Sequence, residues 1–125
     1  MKDTLSKEMY REHILDHYRY PHNFGKLEKA DKEHMESNLL CGDNLTIQLL
    51  LKDNTISDIR FSGSGCAISI AAASLLTDKI KNMNVDDVNM LKATDLLELL
   101  KIPISQPRLK CALLSLETIK GALAK

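Results

Sequence analysis

The chain has 125 residues, of which 44% are hydrophobic, and its 17 basic side chains balance its 17 acidic ones. This length is large enough to bury a core without disulfides, so we expect a single domain over residues 1–125. The balanced charge, with no basic block, argues against nucleic acid as a partner. The sequence has neither a signal-peptide pattern nor a long apolar run, which predicts a cytoplasmic protein that does not bind a membrane.

The first predicted element is an amphipathic helix over residues 5–18. Apolar or aromatic side chains recur there with the helical period, and charged residues lie between them. These side chains are Leu5, Met9, Ile14 and Tyr18. Pro21 and Gly25 then break the helix. The polar stretch that follows, residues 26–37, predicts no more than a short edge strand near its end.

A β-hairpin is predicted next. Residues 45–51 are predicted to form an apolar strand and residues 52–54 a turn. Residues 55–61 are predicted to form a second strand, in which apolar and polar side chains alternate. The run Gly-Ser-Gly at 63–65 is interpreted as a flexible linker. Cys66 follows this linker and begins a helix rich in alanine.

The second half of the chain predicts helices. A short helix is expected from residue 84 or 85 to Met90, with Met90 in the core. Thr94 is the predicted N-cap of a helix over 95–100, and Ser105 the predicted N-cap of the last helix. The predicted class is therefore α+β, with an N-terminal helix, an antiparallel sheet of about three strands and C-terminal helices packed on one face.

Three cysteines and one aspartate are the candidate metal ligands: Cys41, Asp43, Cys66 and Cys111. An odd number of widely spaced cysteines in a reducing compartment favours metal binding or thiol chemistry over disulfides. Three thiolates and one carboxylate make one tetrahedral site, and soft sulfur ligands select zinc, copper(I) or iron–sulfur clusters. The alternative is that the cysteines are buried as small hydrophobic residues.

The positions of these residues suit a shared site. If residues 41–43 are extended, Cys41 and Asp43 lie on one face because side chains two apart do so. Cys66 begins a helix, whose N-terminal partial charge favours a thiolate. Cys111 lies early in the last helix and gains in the same way.

His13 and His17 are four residues apart and share a helix face, which raises the possibility of a second metal site. The sequence between them lacks the glutamate that follows the first histidine in zinc proteases. We interpret the pair as surface or hydrogen-bonding histidines.

The sequence resembles the U-type iron–sulfur cluster scaffold family, which contains IscU, SufU and the N-terminal domain of NifU. Three motifs carry the resemblance: Leu-Cys-Gly-Asp at 40–43, Gly-Ser-Gly-Cys-Ala-Ile-Ser at 63–69 and Arg-Leu-Lys-Cys at 108–111. Tyr10, the run Asp-His-Tyr at 16–18 and residues of the following turn match as well.

The resemblance implies a SufE/NifU-like α+β domain that takes sulfur from a cysteine desulfurase. It implies assembly of a [2Fe-2S] cluster from iron and sulfur on Cys41, Asp43, Cys66 and Cys111, and transfer of the cluster to downstream acceptor proteins. Cys41 is the expected sulfur acceptor and Cys111 the alternative.

Two further functions remain open at this point. In the first, a zinc-dependent sulfurtransferase of the SufU type holds Zn²⁺ on the same four residues and relays persulfide from the desulfurase. In the second, the zinc site is purely structural and mediates contacts. Lys110 stands where the Isc type has a histidine, and in this respect the sequence resembles SufU. The chain nevertheless lacks the insertion that is usual in SufU between the second and third cysteines.

Overall fold

The structure, a computed structural model, describes residues 2–39 and 42–125, which form a three-stranded antiparallel sheet and five α-helices. In chain order the elements are α1 (Lys2–Arg19), β1 (Lys32–Asn38), β2 (Asp43–Lys52), β3 (Thr55–Ser64), α2 (Ala67–Ile80), α3 (Val85–Asn89), α4 (Ala93–Leu100) and α5 (Leu109–Leu123). The strand order is β1-β2-β3, and all neighbours are antiparallel. The predicted α+β class is confirmed.

The core lies between one face of the sheet and the helices. Every second residue of β2 faces inward, and the buried apolar side chains are Leu45, Ile47 and Leu49. Helix α5 packs on β1 and β2, helix α2 packs beside it on β3, and α1 and α4 lie against α2. Burial of each such side chain stabilises the fold by about 1.5–3 kcal/mol. The helices thus hold the inward face of the sheet away from water.

The hairpin between β2 and β3 follows the sequence prediction. Asp53 and Asn54 have φ angles of 52° and 62°, as a two-residue hairpin turn requires. A bulge shifts the register between Leu50 and Leu51. Because the bulge adds one residue to β3, Ile56 and Ile59 both face the core although they are three apart.

The predicted flexible linker at 63–65 is wrong for its first two residues. Strand β3 continues through Gly63 and Ser64, which pair with Leu45 and Asn44. Gly63 has φ = +136°, and a Cβ there would overlap the carbonyl oxygen of Asn44. Glycine serves here to let two strands approach closely in a conformation that other residues rarely adopt, and the backbone before Cys66 is held by the sheet.

Two predicted helix starts are also wrong. Helix α4 begins at Ala93, and its N-cap is Lys92 rather than Thr94; the Asp95 carboxylate accepts the Lys92 N–H at 2.8 Å. Ser105 precedes a 3-10 turn, Gln106–Arg108, and its side chain makes no capping hydrogen bond to any described residue. Helix α5 therefore begins at Leu109, so that Cys111 falls in its first turn.

Met90 was predicted to lie in the core, and this is wrong. Its side chain is 76% exposed, because the residue follows the last turn of α3 and points away from the protein. Val88, two residues earlier, is the residue of α3 that is buried. In α1, Ile14 is buried, whereas Met9 and Tyr18 are largely exposed.

Helix α1 is joined to α2 through a buried histidine. The Ser74 hydroxyl oxygen accepts the backbone N–H of His22 at 2.8 Å and lies 2.6 Å from His17 Nδ1. The hydroxyl can donate its own proton to Nδ1 when that nitrogen carries none, as in one neutral tautomer of His17. Burial lowers the pKa of His17, and the nearby His13 and His22 lower it further, against the opposing effect of Asp78 and Asp16.

The C-terminal end of α5 contacts the outer strand closely. Gly121 lies against the imidazole of His34 on β1, and a Cβ at Gly121 would overlap that ring. This glycine therefore sets the distance between α5 and β1. Among the helices of the described part of the chain, none combines the length and the apolar character needed to cross a bilayer.

The lowered pKa of His17 predicts that the protein loses stability in mild acid. The unfolded chain binds this proton with a pKa of about 6.5, and the folded protein binds it less readily. The stability contributed by neutral His17 is therefore present above that value and is lost as the pH falls through the folded pKa. We expect the free energy of unfolding, measured with urea, to fall between pH 7 and pH 5.

The variant His17→Asn should flatten this pH dependence, because asparagine can accept the Ser74 proton and does not titrate. His34→Gln is the matched control, since His34 lies on β1 against Gly121 of α5 rather than against Ser74, and its replacement should leave the pH dependence caused by His17 in place. An equal slope in His17→Asn and the wild type would contradict the assignment.

Candidate metal centre

Three of the four candidate ligands meet at one end of the sheet. Asp43 is the first residue of β2, Cys66 immediately precedes α2, and Cys111 lies in the first turn of α5. One donor atom from each residue lies within 4.8 Å of the other two. Cys41, the fourth candidate, lies outside the described residues.

The Asp43 carboxylate is buried, with 3% of the residue exposed, because the alternation of β2 turns it to the same side as Leu45. Its Oδ1 accepts the backbone N–H of Cys66 at 3.1 Å. Its Oδ2 is also buried and has no hydrogen-bond partner among the described side chains, those of residues 9–39 and 42–125. A buried oxygen of this kind costs free energy unless a donor or a cation satisfies it.

Cys66 is held by both of its neighbouring elements. Its backbone is extended, and its N–H is used by Asp43. Its carbonyl oxygen accepts the Ser69 hydroxyl at 3.0 Å. The residue as a whole is half-buried. The rigidity of strand and helix, rather than a flexible linker, positions this sulfur.

Cys111 is the most enclosed of the three, with 0% of the residue exposed. The Asn38 amide nitrogen lies 3.8 Å from Cys111 Sγ and donates a hydrogen bond to it. Because α2 and α5 both begin at this site, the partial positive charges of two helix N-termini favour anionic ligands here.

The donor set fits one metal ion. A tetrahedral ion with bonds of about 2.3 Å to sulfur holds neighbouring sulfurs about 3.8 Å apart, so separations within 4.8 Å need to contract by no more than about 1 Å. Two thiols and a carboxylate oxygen that lacks a partner are the groups that zinc and iron accept. The geometry supports metal binding by these residues.

The histidines do not form a comparable group. The rings of His13 and His17 lie 4.7 Å apart and those of His17 and His22 4.6 Å apart. His17 Nδ1 is in hydrogen-bond contact with the Ser74 hydroxyl, and His22 Nδ1 with the Asp78 carboxylate. Among the side chains that the structure describes, those of residues 9–39 and 42–125, only Asp43, Cys66 and Cys111 bring three candidate donor atoms within 4.8 Å.

Sequence reasoning missed two residues of this site. Asn38 contacts Cys111 from the end of β1, and its distance of 73 residues along the chain gave no signal. Gly65 has no room for a side chain, because a Cβ would overlap Ser69 Oγ and lie 3.1 Å from Asp43 Cγ. The glycine next to Cys66 was the only available signal, and it was interpreted as flexibility.

A small α+β domain with a cysteine and aspartate centre at one end of its sheet is the class that the fold and the site define. Comparison with known proteins gives the family. The chain belongs to the family of NifU-like N-terminal domains, whose pattern matches residues 9–125, and thus to the U-type scaffold group.

Relatives with high coverage carry the names of iron–sulfur cluster assembly proteins. The chain is 34% identical over 120 residues to the iron-sulfur cluster assembly scaffold protein IscU of Escherichia coli K12, a match that covers 92% of this chain and 91% of the relative. It is 35% identical over 121 residues to the iron-sulfur cluster assembly enzyme IscU of Drosophila melanogaster, with 93% and 77% covered.

The fold has a similar counterpart among solved structures. The SufU protein of Fervidobacterium islandicum AW-1, named as an iron-sulfur cluster assembly scaffold protein for the SUF system, superposes with a TM-score of 0.78 at 27% identity. The match covers 94% of this chain and 98% of that one.

The crowding at Gly65 predicts that Gly65→Ala weakens metal binding. The added methyl group overlaps Ser69 Oγ and presses on the Asp43 carboxylate. Displacement of groups that orient a ligand typically costs about 10–100-fold in metal affinity, and we expect a loss of at least about tenfold for Co²⁺, measured by competition with a chelator.

The double variant Gly65→Ala/Ser69→Ala serves as the control, since it removes the hydroxyl that the methyl group overlaps. Partial recovery of affinity is expected because the Asp43 contact remains. Wild-type affinity in Gly65→Ala would contradict this account.

Proposed function

We propose that this protein is an iron–sulfur cluster assembly scaffold. It accepts sulfur from a cysteine desulfurase, binds iron and a [2Fe-2S] cluster on Cys41, Asp43, Cys66 and Cys111, and transfers the cluster to acceptor proteins. The grouping of Asp43, Cys66 and Cys111 within 4.8 Å, with a buried carboxylate oxygen that lacks a partner, is the observation that carries this proposal. The names of the relatives support it.

The sulfur-transfer step is a thiol exchange. The thiolate of the accepting cysteine attacks the outer sulfur of the desulfurase persulfide; a new sulfur–sulfur bond forms as the old one breaks, and the desulfurase cysteine leaves as a thiolate. No net electrons are needed for this exchange. Reduction of each transferred sulfur to sulfide requires two electrons, which an external electron-donor protein supplies.

Cys41 is the proposed sulfur acceptor. Cys111 is fully buried, so a persulfide on another protein reaches it only after the site opens. Cys66 is half-buried, but its backbone is held by Asp43 and Ser69. Cys41 is therefore the remaining candidate, and it precedes Gly42, whose φ of 72° favours glycine.

Asp43 is the ligand proposed to release first. A carboxylate binds cluster iron less tightly than a thiolate does. Its Oδ1 already has the Cys66 N–H as a partner, so only Oδ2 gains on metal binding. The carboxylate can therefore leave the metal and keep one of its hydrogen bonds, which lowers the cost of transfer.

A zinc-dependent sulfurtransferase is the second candidate, and the tightness of the site favours it. In a two-iron cluster each iron takes only two protein ligands, so the two pairs of donors lie further apart than donors to one ion. Separations within 4.8 Å therefore suit a single Zn²⁺ after a contraction of no more than about 1 Å, whereas a cluster requires the ligands to spread.

The wider setting is also proposed. The protein acts as a single domain over residues 1–125 in the cytoplasm, and its partners are a cysteine desulfurase and downstream acceptors of iron–sulfur clusters. Zinc in the relay function would store the accepting thiolate and contribute no redox chemistry.

Anaerobic purification followed by metal and acid-labile sulfide analysis tests the proposed function. Iron with sulfide in equal amounts is the result expected for the scaffold. Zinc at one equivalent without sulfide would favour the relay instead. Mass spectrometry after incubation with a desulfurase and cysteine should locate the persulfide on Cys41 and find none in Cys41→Ser; a persulfide that persists in this variant would exclude Cys41 as the acceptor.

The variant Asp43→Ala should hold a reconstituted cluster longer and transfer it more slowly, because the weakest bond to the cluster is removed from the exchange pathway. We expect the transfer rate to fall by about tenfold, equal to about 1.4 kcal/mol in the barrier, as followed by circular dichroism of the cluster with an apo-ferredoxin acceptor. Asp87→Ala, an exposed position on α3, is the control. Transfer from Asp43→Ala at or above the wild-type rate would count against this role.

A further inference from the structure

Asn38 joins two parts of the metal centre. It is the last residue of β1 and pairs with Asp43 at the start of β2. Its backbone carbonyl oxygen accepts the Gly42 N–H at 2.9 Å. Its side-chain amide reaches in the other direction and donates to Cys111 Sγ at 3.8 Å. One residue thus closes the connection that carries Cys41 and contacts the sulfur on α5.

The contact made by the Asn38 carbonyl and the contact made by its side-chain amide with Cys111 are chemically separable. Any residue at this position can supply the carbonyl oxygen that holds Gly42. The bond to Cys111 needs a side-chain donor of this length, and asparagine is a poor strand residue that is seldom buried. Asn38 is only 9% exposed and Cys111 is fully buried, so the bond lies in a medium where hydrogen bonds are strengthened.

A hydrogen bond to a ligand sulfur changes what that sulfur gives to a metal. The donor draws electron density from the thiolate, which makes the sulfur a weaker donor and stabilises the more negative, reduced state of a bound cluster. Hydrogen bonds to sulfur are one of the factors that set cluster potentials, and groups that contact ligands orient them as well.

We propose that Asn38 is a positioning residue, whose side-chain amide fixes the Cys111 sulfur and sets its donor strength toward the bound metal or cluster. This inference rests on the proposed function, because it requires Cys111 to be a ligand. It assigns to the end of β1 a part in tuning the centre.

Asn38 also lies on the wall of a cavity of about 420 Å³ beside the centre. Residues from the end of β1 and from α5 line this cavity: Ser37, Asn38, Leu39, Lys110, Leu114 and Glu117. A smaller side chain at 38 would therefore let solvent approach Cys111, whereas a leucine would block solvent and still lack the donor. The comparison of the two separates hydrogen bonding from solvent access.

The test uses Co²⁺ bound anaerobically to the metal-free protein, with Asn38→Leu and Asn38→Ala as the variants. Asn44→Leu is the matched control, because the Asn44 amide donates to Ser64 Oγ in the neighbouring strand pair and not to a sulfur. The readouts are the energy of the sulfur-to-cobalt charge-transfer absorption band and the reduction potential of the reconstituted cluster.

Loss of the donor raises the energy of the sulfur lone pair, so both Asn38 variants should shift the charge-transfer band to longer wavelength and the cluster potential to a more negative value. Asn44→Leu should match the wild type. A band and potential unchanged in both Asn38 variants, or a shift in Asn38→Ala alone, would overturn the inference while the metal site stands. A wild-type protein that gives no sulfur-to-cobalt band would overturn the proposed function, and this inference with it.

Discussion

The hydrogen bond from the Cys66 backbone to Asp43 Oδ1 is the interaction on which the geometry of the centre depends. It fixes the start of β2 against the start of α2 at 3.1 Å. A carboxylate buried to this extent would ordinarily attract several donors, yet its second oxygen is left to whatever binds at the centre. A metal ion bound by the proposed ligands would satisfy this oxygen and offset the cost of burying it.

The packing of the helices explains why the two sulfurs meet. Helix α2 buries a series of small side chains, Ser69, Ala71, Ala72, Ala73 and Ser74, and helix α5 packs directly against it. Small side chains permit close approach of helix backbones, so the starts of α2 and α5 come together over one end of the sheet. The candidate ligands Asp43, Cys66 and Cys111 lie on or beside rigid elements, which suits a centre that keeps its shape.

Much of the fold followed from local patterns, because the hairpin, the alanine-rich helix and the turn after α1 each have signals within a few residues. The sequence did not predict the extension of β3 through Gly63, because glycine indicates flexibility until its partner strand is known. The pairing of Gly63 with Leu45 is set by the tertiary structure. The predicted start of α5 was too early, because Ser105 and Pro107 are compatible both with the start of an α-helix and with a 3-10 turn. The ligand set was proposed from residue types and family resemblance, whereas the role of Asn38 depends on a contact between residues 73 positions apart.

The contact between Gly121 and His34 has a mechanical consequence for the centre. Helix α5 carries Cys111 in its first turn and Gly121 near its end, ten residues and about 15 Å further along the axis. A helix of this length is stiff. A bulkier residue at position 121 that pushed the C-terminal end of α5 away from β1 would therefore tilt the whole helix relative to α2. The distance between the sulfurs of Cys66 and Cys111 therefore depends in part on the absence of a side chain at Gly121.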